Sequence, residues 1–157
     1  MFQSYLDKND WKYAREETRT EVLFRFSLGG LGGPYGKVDF IVAASDAECQ
    51  NFAILPVKAD EKRGEIAEYF HRVNYPLRFG EFQLDYGDGE IRFHLAYPAE
   101  VFQGKKADEY CERLLMIPAR MIEIYGRGLA AIILGMATPE DAVSLSENSD
   151  TNKSDSK

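Results

Sequence analysis

Apolar and polar positions along this chain change period several times, and each change marks an element. Phe2, Tyr5 and Leu6 share one face at helical spacing, which predicts a short helix over residues 2–8. From residue 22 the period falls to two: Val22, Phe24, Phe26 and Leu28 alternate with Leu23, Arg25 and Ser27, as a strand requires. The stretch GGLGGPYG, residues 29–36, ends that strand and reads as a hairpin connection. KVDFIVAA at 37–44 is a second strand, with Val38, Phe40 and Val42 on one face, and NFAILPV at 51–57 is a third. Asp60 stands where a cap belongs for a helix from Glu61 to about Val73, with Ile66, Tyr69, Phe70 and Val73 on its apolar side. Strands are expected at 77–85 and 90–97. A long helical pattern covers about 107–134, and Pro118 inside it is expected to bend or split it. Thr138-Pro139-Glu140-Asp141 has the order of a helix start: capping residue, proline, acids.

The resulting order is α-β-β-β-α-β-β-α. Strands joined by short turns pair antiparallel, so the fold class is α+β, an antiparallel sheet of about five strands flanked by helices. Residues 1–145 form one domain, and the small polar residues of 146–157 are expected to be a disordered tail.

The first three strands are apolar on both sides. Phe24, Phe26, Phe40, Val42 and Ile54 are read onto one face, and Leu23, Ile41, Ala43, Leu55 and Val57 onto the other. A sheet with one wet face alternates apolar-in and polar-out, so a second apolar face calls for a cover: a helix of the same chain, a second subunit or another polypeptide. Leu23, Ile41, Ala43, Leu55 and Val57 are therefore the candidate interaction face.

Composition narrows the function classes. The 157 residues are 45% hydrophobic and 29% charged, enough for a core of ordinary domain size. No apolar run is long enough to span a membrane, and the charged N-terminal stretch does not read as a signal peptide, which points to the cytoplasm. Cys49 and Cys111, the two cysteines, are then expected to be reduced. The net charge of −7, without a basic stripe, disfavours nucleic acid.

The motifs that invite chemistry fail on spacing. In GGLGGPYGK, Leu31 replaces the first glycine of a phosphate loop and Val38 replaces its hydroxyl residue. In DYGDGE, Gly87, Glu90 and Ala96 stand where a calcium loop needs a ligand, a glycine and a bidentate carboxylate. The segment reads instead as a hairpin tip. His71 and His94 have no ligand-spaced partners, and no serine or cysteine sits in a nucleophile motif. No cofactor, metal or catalytic residue is assigned.

The segment YFHRVNYPLRFGEFQLDYGDGEIRFHLAYP at 69–98, with the long helix and LGMATPEDAV after it, resembles the YbjN family of bacterial proteins. That resemblance implies a fold like that of type III secretion chaperones, commonly a homodimer, and a sensory-transduction-regulator type of role without catalytic residues. The expectation is a non-enzymatic cytoplasmic protein that binds another polypeptide. The alternative is a small-molecule-binding protein or enzyme, with its site between the sheet and the bent C-terminal helix, lined by His94, Arg113, Arg120 and Tyr125.

Overall fold

A computed structural model describes residues 1–31 and 33–154, with side chains described through residue 148. Helix α1 (Phe2–Lys8) leads into four antiparallel strands, β1 (Ala14–Glu17), β2 (Val22–Gly29), β3 (Lys37–Ala44) and β4 (Glu48–Lys58). A 3₁₀ turn at Asp60–Lys62 opens α2 (Arg63–Asn74), and the hairpin β5 (Glu81–Leu84) and β6 (Glu90–Pro98) follows. A second 3₁₀ turn, Ala99–Gln103, precedes α3 (Ala107–Ile133) and α4 (Pro139–Ser154). The strands form one six-stranded sheet in the order β1-β2-β3-β4-β6-β5, every neighbouring pair antiparallel. The α+β class with an antiparallel sheet is as expected, but there are six strands rather than five.

The additional strand is β1. Its sequence, AREE, is exposed at all four positions and carries no period-two apolar signal. It forms because its backbone pairs with Val22–Arg25 across a tight turn, in which the Thr18 hydroxyl accepts from the amides of Thr20 and Glu21. Asp60 does not cap α2 through its side chain. It sits in the left-handed region (φ 37°) within the 3₁₀ turn, and its carbonyl accepts from Arg63.

The helices gather on one face of the sheet. Phe24, Phe26, Phe40, Val42, Ala53, Phe82 and Phe93 point to that side and are buried. Ring contacts tie the layers together: Phe2 on Phe24, Trp11 on Phe26, Phe70 on Phe82, and Phe82 on Tyr125. Tyr35 from the glycine-rich connection is also buried, and its hydroxyl donates to the Gly126 carbonyl of α3 (3.3 Å). The connection is thus anchored across α3 by an aromatic ring.

Pro118 neither splits α3 nor ends it, and the helix runs unbroken from Ala107 to Ile133. A proline has no N–H to give the carbonyl four residues back, here Leu114. The fully buried Asn51 of β4 supplies the missing donor, its Nδ2 lying 2.8 Å from the Leu114 oxygen.

Helix α4 opens as its sequence predicts, with the Thr138 hydroxyl accepting from the Asp141 amide (3.2 Å) and donating to the Asp141 carboxylate (2.8 Å). The helix then continues into the stretch assigned to a polar tail, and Ser146 is fully buried. Ser146 joins a polar node with the Tyr69 hydroxyl (3.0 Å), which itself donates to the Tyr125 carbonyl (2.8 Å), while the Gly128 amide donates to Ser146 (3.2 Å). The composition of 146–157 reads as disordered because these residues are small and polar, but one of them completes a buried hydrogen-bonded node. Residues 155–157 lie outside the described residues.

Candidate functional site: the uncovered face of the sheet

Register fixes which residues share the face away from the helices. Leu23 lies opposite Ala43, and Ala43 opposite Gln50; Ile41 lies between Arg25 and Phe52. Ile54 faces Asp39 on one side and Arg92 on the other, and Phe52 faces His94. Beyond them Glu81 pairs with His94 and Gln83 with Arg92. Leu23, Ile41, Phe52, Ile54, Arg92 and His94 are half-buried by one another, and Ala43 is buried beneath its larger neighbours.

Three of the five residues read from sequence as the interaction face, Leu23, Ile41 and Ala43, are therefore on the uncovered side. Leu55 and Val57 are not. The pairing of Phe40 with Ala53 sends the odd positions of β4 toward the helices, so Leu55 is in the core and Val57 packs partly against it. Ile54, read onto the core side, faces outward with Phe52. The misreading has a physical source at Asn51. A polar residue at a core position interrupts the alternation, and its reason for being there, the Leu114 carbonyl, is 63 residues away in sequence.

At the middle of this face the side chains form a directed chain of hydrogen bonds. The Arg92 Nε donates to Gln83 Oε1 (2.8 Å). The Gln83 amide nitrogen then faces His94 Nδ1 (3.4 Å) and the Glu81 carboxylate (2.7 Å). His94 Nε2 lies 3.0 Å from Gln50 Oε1, and the Gln50 nitrogen donates to Glu48 (2.7 Å). Phe52 lies beside this chain, its ring stacked on the His94 imidazole (centroids 4.9 Å apart, 14° between planes) with the Arg92 guanidinium 4.8 Å from its centre. Burial pushes the His94 pKa down from its usual value, and Arg92 adds to this, while Glu81 and Glu48 pull the other way.

Charges around the belt are paired on the face itself: Arg25 with Glu16, Lys37 with Asp39, and Arg92 with Glu90, each at 3.6 Å. The face thus carries three ion pairs around an aromatic and aliphatic centre, with the Glu48 and Glu81 carboxylates accepting from the Gln50 and Gln83 amides.

Both edges of the sheet carry features that discourage strand addition. β1 is four residues long and charged at three of them, a common way of discouraging edge pairing. On β5 the Asn74 side chain takes the place of a neighbouring strand, donating to the Phe82 carbonyl (2.9 Å) and accepting from the Phe82 amide (2.8 Å).

The residues read as lining a groove beneath the bent helix are not brought together. His94 is on the sheet face opposite α3, Tyr125 is buried against Phe82, Arg113 lies over Phe79 and Tyr110, and Arg120 bonds Glu123. The acidic turn is a hairpin tip: Asp85 accepts from the Gly87 amide through its side chain and from the Gly89 amide through its carbonyl, and Gly89 supplies a left-handed residue (φ 78°). Among the described residues no group of three or more histidine, cysteine or acidic side chains is placed to hold a metal ion. Burial raises the thiol pKa of Cys49 to about 12 and of Cys111 to about 11, so neither is poised as a thiolate at neutral pH.

Fold and face together define an α+β domain with helices on one side of an antiparallel sheet and a half-buried surface with an aromatic centre on the other. No helix among the described residues is long and apolar enough to cross a membrane. Comparison of the chain with family models, with curated proteins and with solved structures finds no match.

Proposed function

We propose that this protein is a non-enzymatic, cytoplasmic interaction protein that binds another polypeptide through the uncovered face of its sheet, with a second copy of itself as the first occupant. The observation that carries this reading is that Leu23, Ile41, Phe52 and Ile54 stand half-buried on a face that receives none of the described helices, while both sheet edges discourage strand addition. Charge pairing within the face favours a like partner. Two chains of net charge −7 repel, and a surface whose cations are paired with carboxylates is where they approach at less cost. A two-fold contact would use the same patch on each copy, and a stable one typically buries about 800 Å² per partner. The resemblance to the YbjN family, with its chaperone-like sheet and homodimers, agrees with this reading.

The test is light scattering on the wild type and on Ile41→Lys/Ile54→Lys. The wild type is expected to be dimeric at tens of micromolar. The variant is expected to be monomeric, with a melting temperature within a few degrees of wild type, because both side chains already reach solvent. A strictly monomeric wild type would remove the second copy as the occupant. If affinity capture from the native cell then returned the same proteins with wild type and variant, the face itself would be rejected.

A further inference from the structure

We propose that His94 is a proton-operated latch on the uncovered face, holding Gln50, Gln83 and Arg92 in one arrangement when neutral and releasing them when charged. Control of binding by this latch rests on the reading of that face as the contact surface.

The amides leave His94 little choice of state. Gln83 offers nitrogen rather than oxygen to Nδ1, because its oxygen is held by Arg92 Nε at 2.8 Å. Gln50 offers oxygen rather than nitrogen to Nε2, because its nitrogen is held by Glu48 at 2.7 Å. Nδ1 must accept and Nε2 must donate, which defines the neutral tautomer with its proton on Nε2. Protonation places a second N–H on Nδ1, pointing at the Gln83 donor. Gln83 cannot invert without losing Arg92. The remaining acceptor for Nδ1–H is the Glu81 carboxylate, 4.0 Å away, which also accepts from Gln83. A charged His94 that turns to Glu81 takes the Nδ1 acceptor away from the Gln83 amide and competes with it for Glu81, which loosens the hold of Gln83 on Arg92, while Glu90 and the Phe52 ring still bear on Arg92.

The charged groups bearing on His94 are Glu81 from β5, Glu48 from β4, Arg92 from its own strand and Arg78 from the 75–80 turn, whose side chain lines the same surface hollow as His94. Glu81 and Glu48 favour the charged form. Burial, the largest cause, and Arg92 oppose it. A second copy laid over the face removes water from His94, and burial is already the largest cause of its lowered pKa, so covering the face deepens the preference for the neutral form. Contact and proton binding then compete, and acid weakens self-association.

Two measurements decide this. Ring nitrogen and carbon NMR of the intact protein is expected to show His94 with its proton on Nε2 at neutral pH and an apparent pKa below the ordinary value of about 6.5. The side-chain signals of Gln50, Gln83 and Arg92 Nε are expected to titrate with it, and Gln83→Leu to move its pKa upward. Light scattering at pH 7.5 and 5.0 is expected to show about a tenfold or greater weakening of self-association in acid, abolished in His94→Phe, which keeps a ring against Phe52. A proton found on Nδ1, or amide signals that stay still while His94 titrates, would overturn the latch even in a protein that dimerises. A wild type that is monomeric at both pH values would overturn the claimed control of binding, while the NMR result would still decide the latch. His94→Phe retaining the full pH dependence would overturn that control too.

Discussion

Asn51→Leu is expected to lower the unfolding free energy by about 2 kcal/mol, and Pro118→Ala in the same chain to restore much of it. The substitution keeps the branched outline of the side chain, with bulkier methyl ends, and removes the donor to the Leu114 carbonyl. That carbonyl lies inside α3, next to fully buried Leu115, and Pro118 denies it the usual helical partner. A buried oxygen without a donor costs about 1–3 kcal/mol, whereas a satisfied bond contributes only about half that. In Asn51→Leu/Pro118→Ala the alanine supplies a backbone N–H of its own, so the two substitutions should be strongly non-additive. The Asn51 Oδ1 makes no hydrogen bond in the structure, so the loss falls on the donor side alone. For a chain of this length the single variant should melt roughly 4–8 °C lower. Denaturant unfolding of the four-member cycle checks the claim. If Asn51→Leu costs as much in the Pro118→Ala background as in the wild-type chain, the proposed pairing of strand and helix through this bond is wrong.

The second large effect is expected at Gly128. A methyl group added there would sit 2.5 Å from the Ala142 carbonyl oxygen, 2.5 Å from the Tyr69 hydroxyl and 2.6 Å from the Ser146 hydroxyl. No single side chain can move aside to accept it, because one contact is backbone and the other two belong to the hydrogen-bonded node joining α2, α3 and α4. Gly128→Ala should therefore push α4 away from α3 and break bonds at the node, costing about 3 kcal/mol. Tyr69→Phe removes one of the three obstructing atoms, so Gly128→Ala/Tyr69→Phe should cost less than the sum of the two singles. Thermal unfolding followed by circular dichroism measures both. Gly128→Ala within about 1 kcal/mol of wild type would show that the helices separate easily and that the node contributes little.

Acidity is expected to act on stability independently of any contact. His94 has a lowered pKa in the folded state, so the unfolded chain binds its proton first as pH falls. Its contribution to stability is fully present above the unfolded value of about 6.5 and is lost as pH drops from there toward the folded value.

The parts of this fold that are legible in sequence are those in which periodicity and local turn chemistry agree. β2 and β3 announce themselves by aromatic alternation, α2 by Ile66, Tyr69, Phe70 and Val73, and α4 by its capping threonine. The acidic turn separates from a calcium loop because ligand spacing is a local property. What escapes is settled over long distances. β1 exists only because a backbone ladder is available beside β2. The facing of Leu55 and Ile54 depends on which residue of β4 sits across from Phe40. Ser146 looks like tail until Tyr69 and Gly128 are brought to it. At the candidate face, Leu23, Ile41 and Ala43 are visible from alternation alone, whereas the belt of Gln50, Phe52, Gln83, Arg92 and His94 is not. Those five residues come from three strands, and polar side chains at outward positions give no sign in sequence that they bond to one another.

The Asn74 clasp on β5 has a consequence for how far assembly can go. A sheet grows into a fibre by adding strands at its rims, and a domain polymerises when it offers two different sticky surfaces. Here one rim is plugged by an amide, the other is short and charged, and the back of the sheet is occupied by helices. If the uncovered face is the contact surface, as proposed, these features give the sheet a valence of one. An occupant of that face would then end the assembly, and the product expected from the proposal is a closed pair and not a filament.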